Sequence, residues 1–254
     1  METIDGTTQF VARDGARTLT FAGGTEIGRR YRANFDVLHL GDDPALAVVA
    51  DGMGDSEGSA VASRTAVDVF VAAVRAAAPG PFGPAAIRGA VAAAQRRVRA
   101  EGARLDSLTG CTLTALVPDQ EGDAWIAQIG DSRAYRLRDG LLELLTVDHT
   151  AAWLGTLYGS YPADSPQAAA ARYMLHRYMG HPDSPEPDVL NVTLRPGDVY
   201  CLCTDGVAEQ VSYERLGQVL SSGDHPREMV TALLADTLDA GGRDNATLAV
   251  TLVA

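Results

Sequence analysis

The chain has 254 residues, 46% of them apolar and 21% charged, with a formal net charge of −12. That is the make-up of a soluble globular protein with material for a sizeable core, and its negative balance excludes a surface built for nucleic acid or an anionic membrane. Three cysteines, an odd number set in apolar runs, argue against a disulfide framework and for a reducing, cytoplasmic setting.

From the start, METIDGTTQFVARDG lacks a basic segment followed by an apolar stretch, so no signal peptide is expected. The first strong strand is Ala45 to Ala50, ending at Asp51. A helix follows from about Gly58 to Ala78, with Arg64, Asp68 and Arg75 as its polar stripe. Pro79-Gly80-Pro81 ends it, and Pro84 suits the first turn of a second helix running to about Glu101. There Ile87, Val91, Ala94 and Val98 form an apolar face, opposite Arg88, Gln95 and Arg99. Strands are expected at Cys111 to Val117, Ala124 to Ile129, Arg133 to Arg138 and Leu141 to Thr146, the last two flanking the hairpin signal Asp139-Gly140. Residues 150–188 read as irregular, with one helix at Gln167 to Tyr178. A strand pair, Val189 to Leu194 and Val199 to Cys203, is joined by Arg195-Pro196-Gly197-Asp198. Helices at Tyr213 to Leu220 and Pro226 to Leu238 precede a closing strand, Ala246 to Val253. The alanine-rich stretches are broken too soon to span a membrane. No repeat or linker divides residues 1–254, so a single domain is expected. Two strand groups, each followed by helices, predict an α+β fold: a four-layer α-β-β-α sandwich with two central, mainly antiparallel sheets.

The placement of aspartates carries the most information. Three apolar strands run into an acid, at Asp51-Gly52, Asp131-Ser132 and Asp205-Gly206; Asp244-Asn245 precedes the last strand and Asp36 begins VLHL. Singly, each is an ordinary turn or cap. If strands of facing sheets deliver them to one edge, their charges repel unless a cation intervenes. Oxygen donors of this kind suit Mg²⁺, Mn²⁺ or Ca²⁺ rather than zinc, and the sequence offers no CxxC or HExxH rival.

At these residues the chain resembles the type 2C, metal-dependent (PPM) protein phosphatases of bacteria. The matching segments are Asp51-Gly52-Met53-Gly54, Gly110-Cys111-Thr112, Ile129-Gly130-Asp131-Ser132-Arg133, Leu145 through Asp148-His149, Thr204-Asp205-Gly206 and Arg243-Asp244-Asn245-Ala246-Thr247, in family order between residues 28 and 254. The resemblance implies two Mn²⁺ or Mg²⁺ ions at one sheet edge, with room for a third. Asp51 would bridge the two, the Gly52 carbonyl would ligate one, and Asp205 and Asp244 would bind the other. Asp36 would hold metal-bound waters and Asp131 the third ion. A metal-activated water would attack phosphorus directly, making Asp51, Asp205 and Asp244 the catalytic acids. Residues 150–188 would hold a flap that helps choose substrates. Cys203, between Leu202 and Thr204, reads as a core thiol, and His149 as structural.

Three positions depart from the family's pattern. Phe35 stands where a Glu usually precedes Asp36; Tyr31 stands where a phosphate-binding Arg is usual, leaving Arg30 or Arg32 for that role; and Asp55 follows Gly54 where a Gly is common. The resemblance implies hydrolysis of phosphoserine and phosphothreonine in a partner phosphoprotein, opposing a cognate kinase. The alternatives are a small-molecule phosphate ester as substrate, or a catalytically dead scaffold that binds a signalling partner.

Overall fold

The computed structural model describes residues 8–14, 17–78, 83–105, 107–119 and 122–254, the first stretch by its backbone. Residues 1–7 and the helix break expected at Pro79-Gly80-Pro81 lie outside the described residues. In chain order come β1 (Thr8–Asp14), β2 (Arg17–Glu26), β3 (Val37–Asp42), β4 (Ala45–Ala50), α1 (Glu57–Ala77) and α2 (Pro84–Leu105). Then follow β5 (Leu113–Pro118), β6 (Asp123–Ile129), β7 (Arg133–Arg138), β8 (Leu141–Leu144), α3 (Ala151–Leu157) and α4 (Pro166–Ala171). The chain closes with β9 (Asp188–Thr193), β10 (Val199–Cys203), α5 (Asp205–Ala208), α6 (Tyr213–Leu220), α7 (Pro226–Asp239) and β11 (Ala246–Val253).

The described strands form two sheets, ordered β1-β2-β11-β10-β7-β8 and β3-β4-β5-β6-β9. Neighbours pair antiparallel throughout. Helices α1 and α2 cover the second sheet, and α5 and α7 lie on the first, so the expected α-β-β-α sandwich is what forms. Side-chain alternation explains the layers. Along β4, Leu46, Val48 and Ala50 face the helix pair, while Ala47 and Val49 face the opposite sheet. Along β10, Cys201 and Cys203 face the helices and Tyr200 and Leu202 face inward. All three thiols are free and buried, Cys203 among them.

The expected strand pair at 189–203 is corrected. β9 belongs to one sheet and β10 to the other, so the Arg195–Asp198 turn crosses between layers rather than closing a hairpin. Residues 130–132 make the same crossing from β6 to β7. The helix expected over 167–178 stops at Ala171, because Leu175 and Met179 spend their backbone groups on bridges to Thr150 and Cys111. Gln95, expected on the solvent face of α2, is buried: its amide nitrogen donates to the Tyr178 carbonyl at 3.1 Å and its oxygen accepts from the Gly180 amide. Strand β2 was not expected, since Gly23-Gly24 interrupt its pattern; a Cβ at Gly23 would sit 2.8 Å from a Leu38 methyl, so glycine permits the close approach of the two sheets there.

Phe70 on α1 is fully buried, whereas Leu141 is 62% exposed at a sheet edge. Phe70→Ala should cost about 3–5 kcal/mol, and Leu141→Ala less than about 0.5 kcal/mol, as read by urea denaturation.

Candidate active site

The layer between the sheets is apolar at one end, around Leu19, Phe21 and Tyr200, and lined by hydroxyls at the other. At that polar end Thr112, Thr114, Ser132, Thr204 and Thr247 are all buried. They organise the loops that carry the acids. The Asp51 amide donates to Thr112 Oγ1 at 2.9 Å, and that oxygen lies 2.6 Å from Ser132 Oγ. Thr204 Oγ1 donates to Asp36 Oδ2 at 2.9 Å. Asp205 opens α5 with only Thr204 between it and β10, and Asp244 sits two residues before the start of β11. Gly52 is required where it is: a Cβ would lie 2.6 Å from the Ser59 carbonyl and 2.8 Å from that of Phe35.

A cleft of about 560 Å³ opens over this end, lined in part by Asp51, Gly52, Asp131, Asp205 and Asp244. Asp36 lies behind it, only 8% exposed. The acids feel one another. Burial, followed by repulsion from neighbouring carboxylates, raises the pKa of Asp51 and Asp131 well above the ordinary range. Asp51 and Asp205 face each other closely enough to share a proton. Asp205 is pushed to about 6, mainly by burial and with Asp244 adding to it; Asp36 is pushed to about 7 by burial, although Thr247 and Thr204 oppose the shift. Asp244 is raised as well.

Among the five acids, two buried oxygens, Asp36 Oδ1 and Asp205 Oδ1, have no hydrogen-bond partner. Hard carboxylate oxygens, mutually repelling and partly unsatisfied, fit a divalent cation of the Mg²⁺ or Mn²⁺ type. Among the described residues, no three of these groups already stand as a preformed ligand set.

Five of the six residues expected to bind metal therefore border the cleft and the sixth, Asp36, backs it. Of the two arginines, Arg30 lines the cleft, with its guanidinium 4.9 Å from the Tyr31 ring centre and close enough to Asp244 to lower that pKa. Arg32 is exposed, as Arg30 is, and is not among the residues that line this cleft. Asp55 is exposed and likewise outside the lining. Sequence reasoning missed the hydroxyl network and the clamp formed by Asn245. Its Oδ1 accepts from the Phe35 amide at 2.8 Å, and its Nδ2 donates to the carbonyls of Ile27 at 2.9 Å and Ala33 at 3.2 Å. The loop bearing Arg30 is thus tied to Asn245, the residue between Asp244 and β11. Gly28, at φ +74°, lets that loop lie against the Asp244 carbonyl, where a Cβ would come within 2.4 Å. Leu108, Tyr173 and Leu175 also line the cleft.

A two-sheet α+β sandwich with acids gathered at one end of the interlayer defines the class: a layered α+β domain with an acidic cleft whose oxygen donors suit a hard cation. The chain belongs to the protein phosphatase 2C family, whose model matches residues 32–246. It is 30% identical over 235 residues to the serine/threonine protein phosphatase PstP of Mycobacterium tuberculosis, a match covering 91% of this chain and 44% of the relative, so it spans under half of that protein's length. It is 27% identical to the serine/threonine phosphatase stp of Listeria monocytogenes, over 88% of this chain and 92% of that one. Two solved structures are close in fold. The PPM Ser-Thr phosphatase MsPP of Mycobacterium smegmatis, in complex with cacodylate, has a TM-score of 0.80 at 31% identity, covering 91% and 97% of the two chains. The catalytic domain of PstP, in complex with two manganese ions, has a TM-score of 0.82 at 30% identity, covering 94% and 99%.

A carboxyl with a raised folded-state pKa binds more protons folded than unfolded, so it lowers stability as pH rises. For Asp36 the window runs from the ordinary 3.8 to about 7. Asp36→Asn, which keeps an acceptor for Thr204, should therefore stabilise the metal-free protein by an amount that grows from pH 3.8 to about 7 and then levels off. Thermal midpoints of wild type and variant in EDTA test this; a difference that shrinks with rising pH contradicts it.

Proposed function

We propose that the chain is a Mn²⁺- or Mg²⁺-dependent phosphatase that hydrolyses phosphoserine and phosphothreonine esters. The observation that carries this reading is the acidic cleft: recessed aspartates with raised pKa values and two unpartnered oxygens. The family match and the manganese in PstP support it.

In this reading Asp51, with the Gly52 carbonyl beside it, and Asp205 and Asp244 hold the principal ions. Asp131 holds a further one, and Asp36 orients water from behind. Bound there, hard divalent cations acidify a water and offset charge on the phosphoryl group. The protein's own part is to place donors and exclude alternatives. Thr204 fixes the Asp36 carboxylate, and the Asp51 amide is fixed by Thr112. Arg30 meets the phosphate with its planar fork, steadied by the Tyr31 face. No nucleophilic side chain is called for: the three cysteines are buried, and burial raises the Cys111 thiol far above its usual range.

The scaffold alternative loses ground on geometry. Phe35 contributes its backbone to Asn245 and Ser63, and its ring packs edge-on against Tyr31 at 6.0 Å, so replacing a Glu there leaves the acids beside the cleft in place. The cleft's rim of Leu108, Tyr173 and Leu175 favours a peptide-borne phosphate, opposed in the cell by a kinase, over a small polar ester. The free thiols fit a cytoplasmic setting. Among the described residues no helix is long and apolar enough to cross a membrane. The family match over residues 32–246 is in keeping with one catalytic domain, and in this reading residues 150–188 form its flap.

Hydrolysis of p-nitrophenyl phosphate and of a phosphothreonine peptide should require Mn²⁺ or Mg²⁺ and stop with EDTA. Asp51→Ala or Asp205→Asn should lower kcat at least about a hundredfold. No phosphate release from either substrate at saturating manganese would sink the proposal. Arg30→Ala should reduce kcat/KM about 10- to 100-fold, while Arg32→Ala should leave it within about twofold.

A further inference from the structure

The segment that leaves the flap, residues 175–179, is stitched by its backbone to both loops that border the acidic cleft. On one side Leu175 bridges Thr150, and the His176 amide donates to the His149 carbonyl at 2.9 Å. On the other, Met179 exchanges two hydrogen bonds with Cys111, at 2.8 and 3.1 Å, and Cys111 in turn bridges Gly52. A short ribbon thus runs from beside Asp131 to beside Asp51 and Gly52.

Side chains lock the Asp131 end of that ribbon. His149 is 3% exposed. Its amide donates to the Gly130 carbonyl at 3.0 Å, and its Nδ1 accepts from the Gly130 amide at 3.1 Å. An amide N–H only donates, so Nδ1 carries no proton; Nε2 carries it and donates to Asp188 Oδ2 at 3.2 Å. Asp188 Oδ1 accepts from both terminal nitrogens of Arg177, each at 2.6 Å. Gly130 has little freedom of its own. It sits at φ +108°, and a Cβ there would lie 2.6 Å from a Thr112 methyl. The peptide that precedes Asp131 is therefore held by a relay, Arg177 to Asp188 to His149 to Gly130, none of whose members lines the cleft.

We propose that His149 is a positioning residue that, through Asp188 and Arg177, couples the seating of the flap to the placement of Asp131. The functional consequence rests on the reading of Asp131 as a metal ligand; the coupling itself does not. When the flap's base is docked, Arg177 fixes Asp188, Asp188 fixes the imidazole tautomer, and the imidazole fixes Gly130. Loosening the flap end releases the Asp131 loop.

Amide exchange of Gly130, followed by NMR on the full chain with and without Mn²⁺, tests the coupling directly. Arg177→Gln touches neither Gly130 nor the cleft, yet it should speed exchange at Gly130 about tenfold, as His149→Phe should. His149→Asn, which restores an acceptor near Nδ1 but cuts the link to Asp188, should recover protection and make it insensitive to Arg177→Gln. Calorimetric titration should show Mn²⁺ binding about tenfold weaker in Arg177→Gln, with no further loss in an Asp131→Ala background. Should Arg177→Gln fail to fold, Asp188→Asn is read in the same way. Wild-type exchange at Gly130 in a folded Arg177→Gln or Asp188→Asn protein overturns the coupling. A wild-type chain that binds no manganese but shows faster Gly130 exchange in Arg177→Gln supports the coupling and refutes the function proposed above.

Discussion

Uncompensated negative charge recessed between two sheets governs the rest of this molecule. Asp36, Asp51, Asp131, Asp205 and Asp244 all have raised pKa values, and for each the leading cause is withdrawal from water. Nearby cations do little to relieve this. Arg133 lies beside Asp131 but is taken up by Asp148, at 2.9 and 2.6 Å. Arg30 eases Asp244, whose pKa is raised all the same. A protein that maintained such a cluster without a use for it would carry the cost in every folded molecule. A hard divalent ion removes the cost by supplying the opposite charge at the unpartnered oxygens.

The sandwich is suited to building such a cluster from distant parts of the chain. Each strand alternates between a helix-facing and an interlayer face, so the interlayer can be apolar along most of its length and polar at one end. The change is made with threonine and serine, whose hydroxyls serve as partners for backbone and carboxylate without adding charge. Thr247 Oγ1 lies 2.6 Å from Thr25 Oγ1, and the Thr247 amide donates to Thr204 Oγ1 at 3.0 Å. These contacts join β2, β11 and the end of β10 just below the acids. Crossings between sheets at residues 130–132 and 195–198 then let consecutive strands serve opposite layers.

Much of this was legible in the sequence because strong local signals agreed with the fold. Apolar runs ending in Asp51, Asp131 and Asp205 gave both the strand ends and the acids. The alternating pattern of α1 and the Pro84 start of α2 placed that helix pair within a few residues. What failed was decided by partners far off in the chain. Nothing local distinguishes the hairpin expected at 189–203 from a crossing, since a Pro-Gly-Asp turn serves either. Residues 172–178 are rich enough in helix formers to extend α4, yet their backbone is claimed by Thr150 and His149, and that of Met179 just beyond by Cys111. Gln95 looked solvated by its helical position and is buried by a segment more than 80 residues later, through its bonds to Tyr178 and Gly180. Arg30 and Arg32 flank Tyr31 alike in the sequence; in the fold of their loop Arg30 lines the cleft and Arg32 lies outside that lining.

That loop also gives a physical meaning to two departures from the family's pattern. Taken one at a time, Tyr31 in place of an arginine and Phe35 in place of a glutamate read as two losses from an active site. In the folded chain they are one contact, an edge-on ring pair at 6.0 Å, within a loop pinned by Asn245. Arg30, one position before Tyr31, rests over the first of those rings at 4.9 Å. An aromatic pair therefore shapes the loop, and the Arg30 guanidinium rests on a ring face while it also eases Asp244. A cation held that way stays available to an incoming anion, because a π face steadies it without neutralising it.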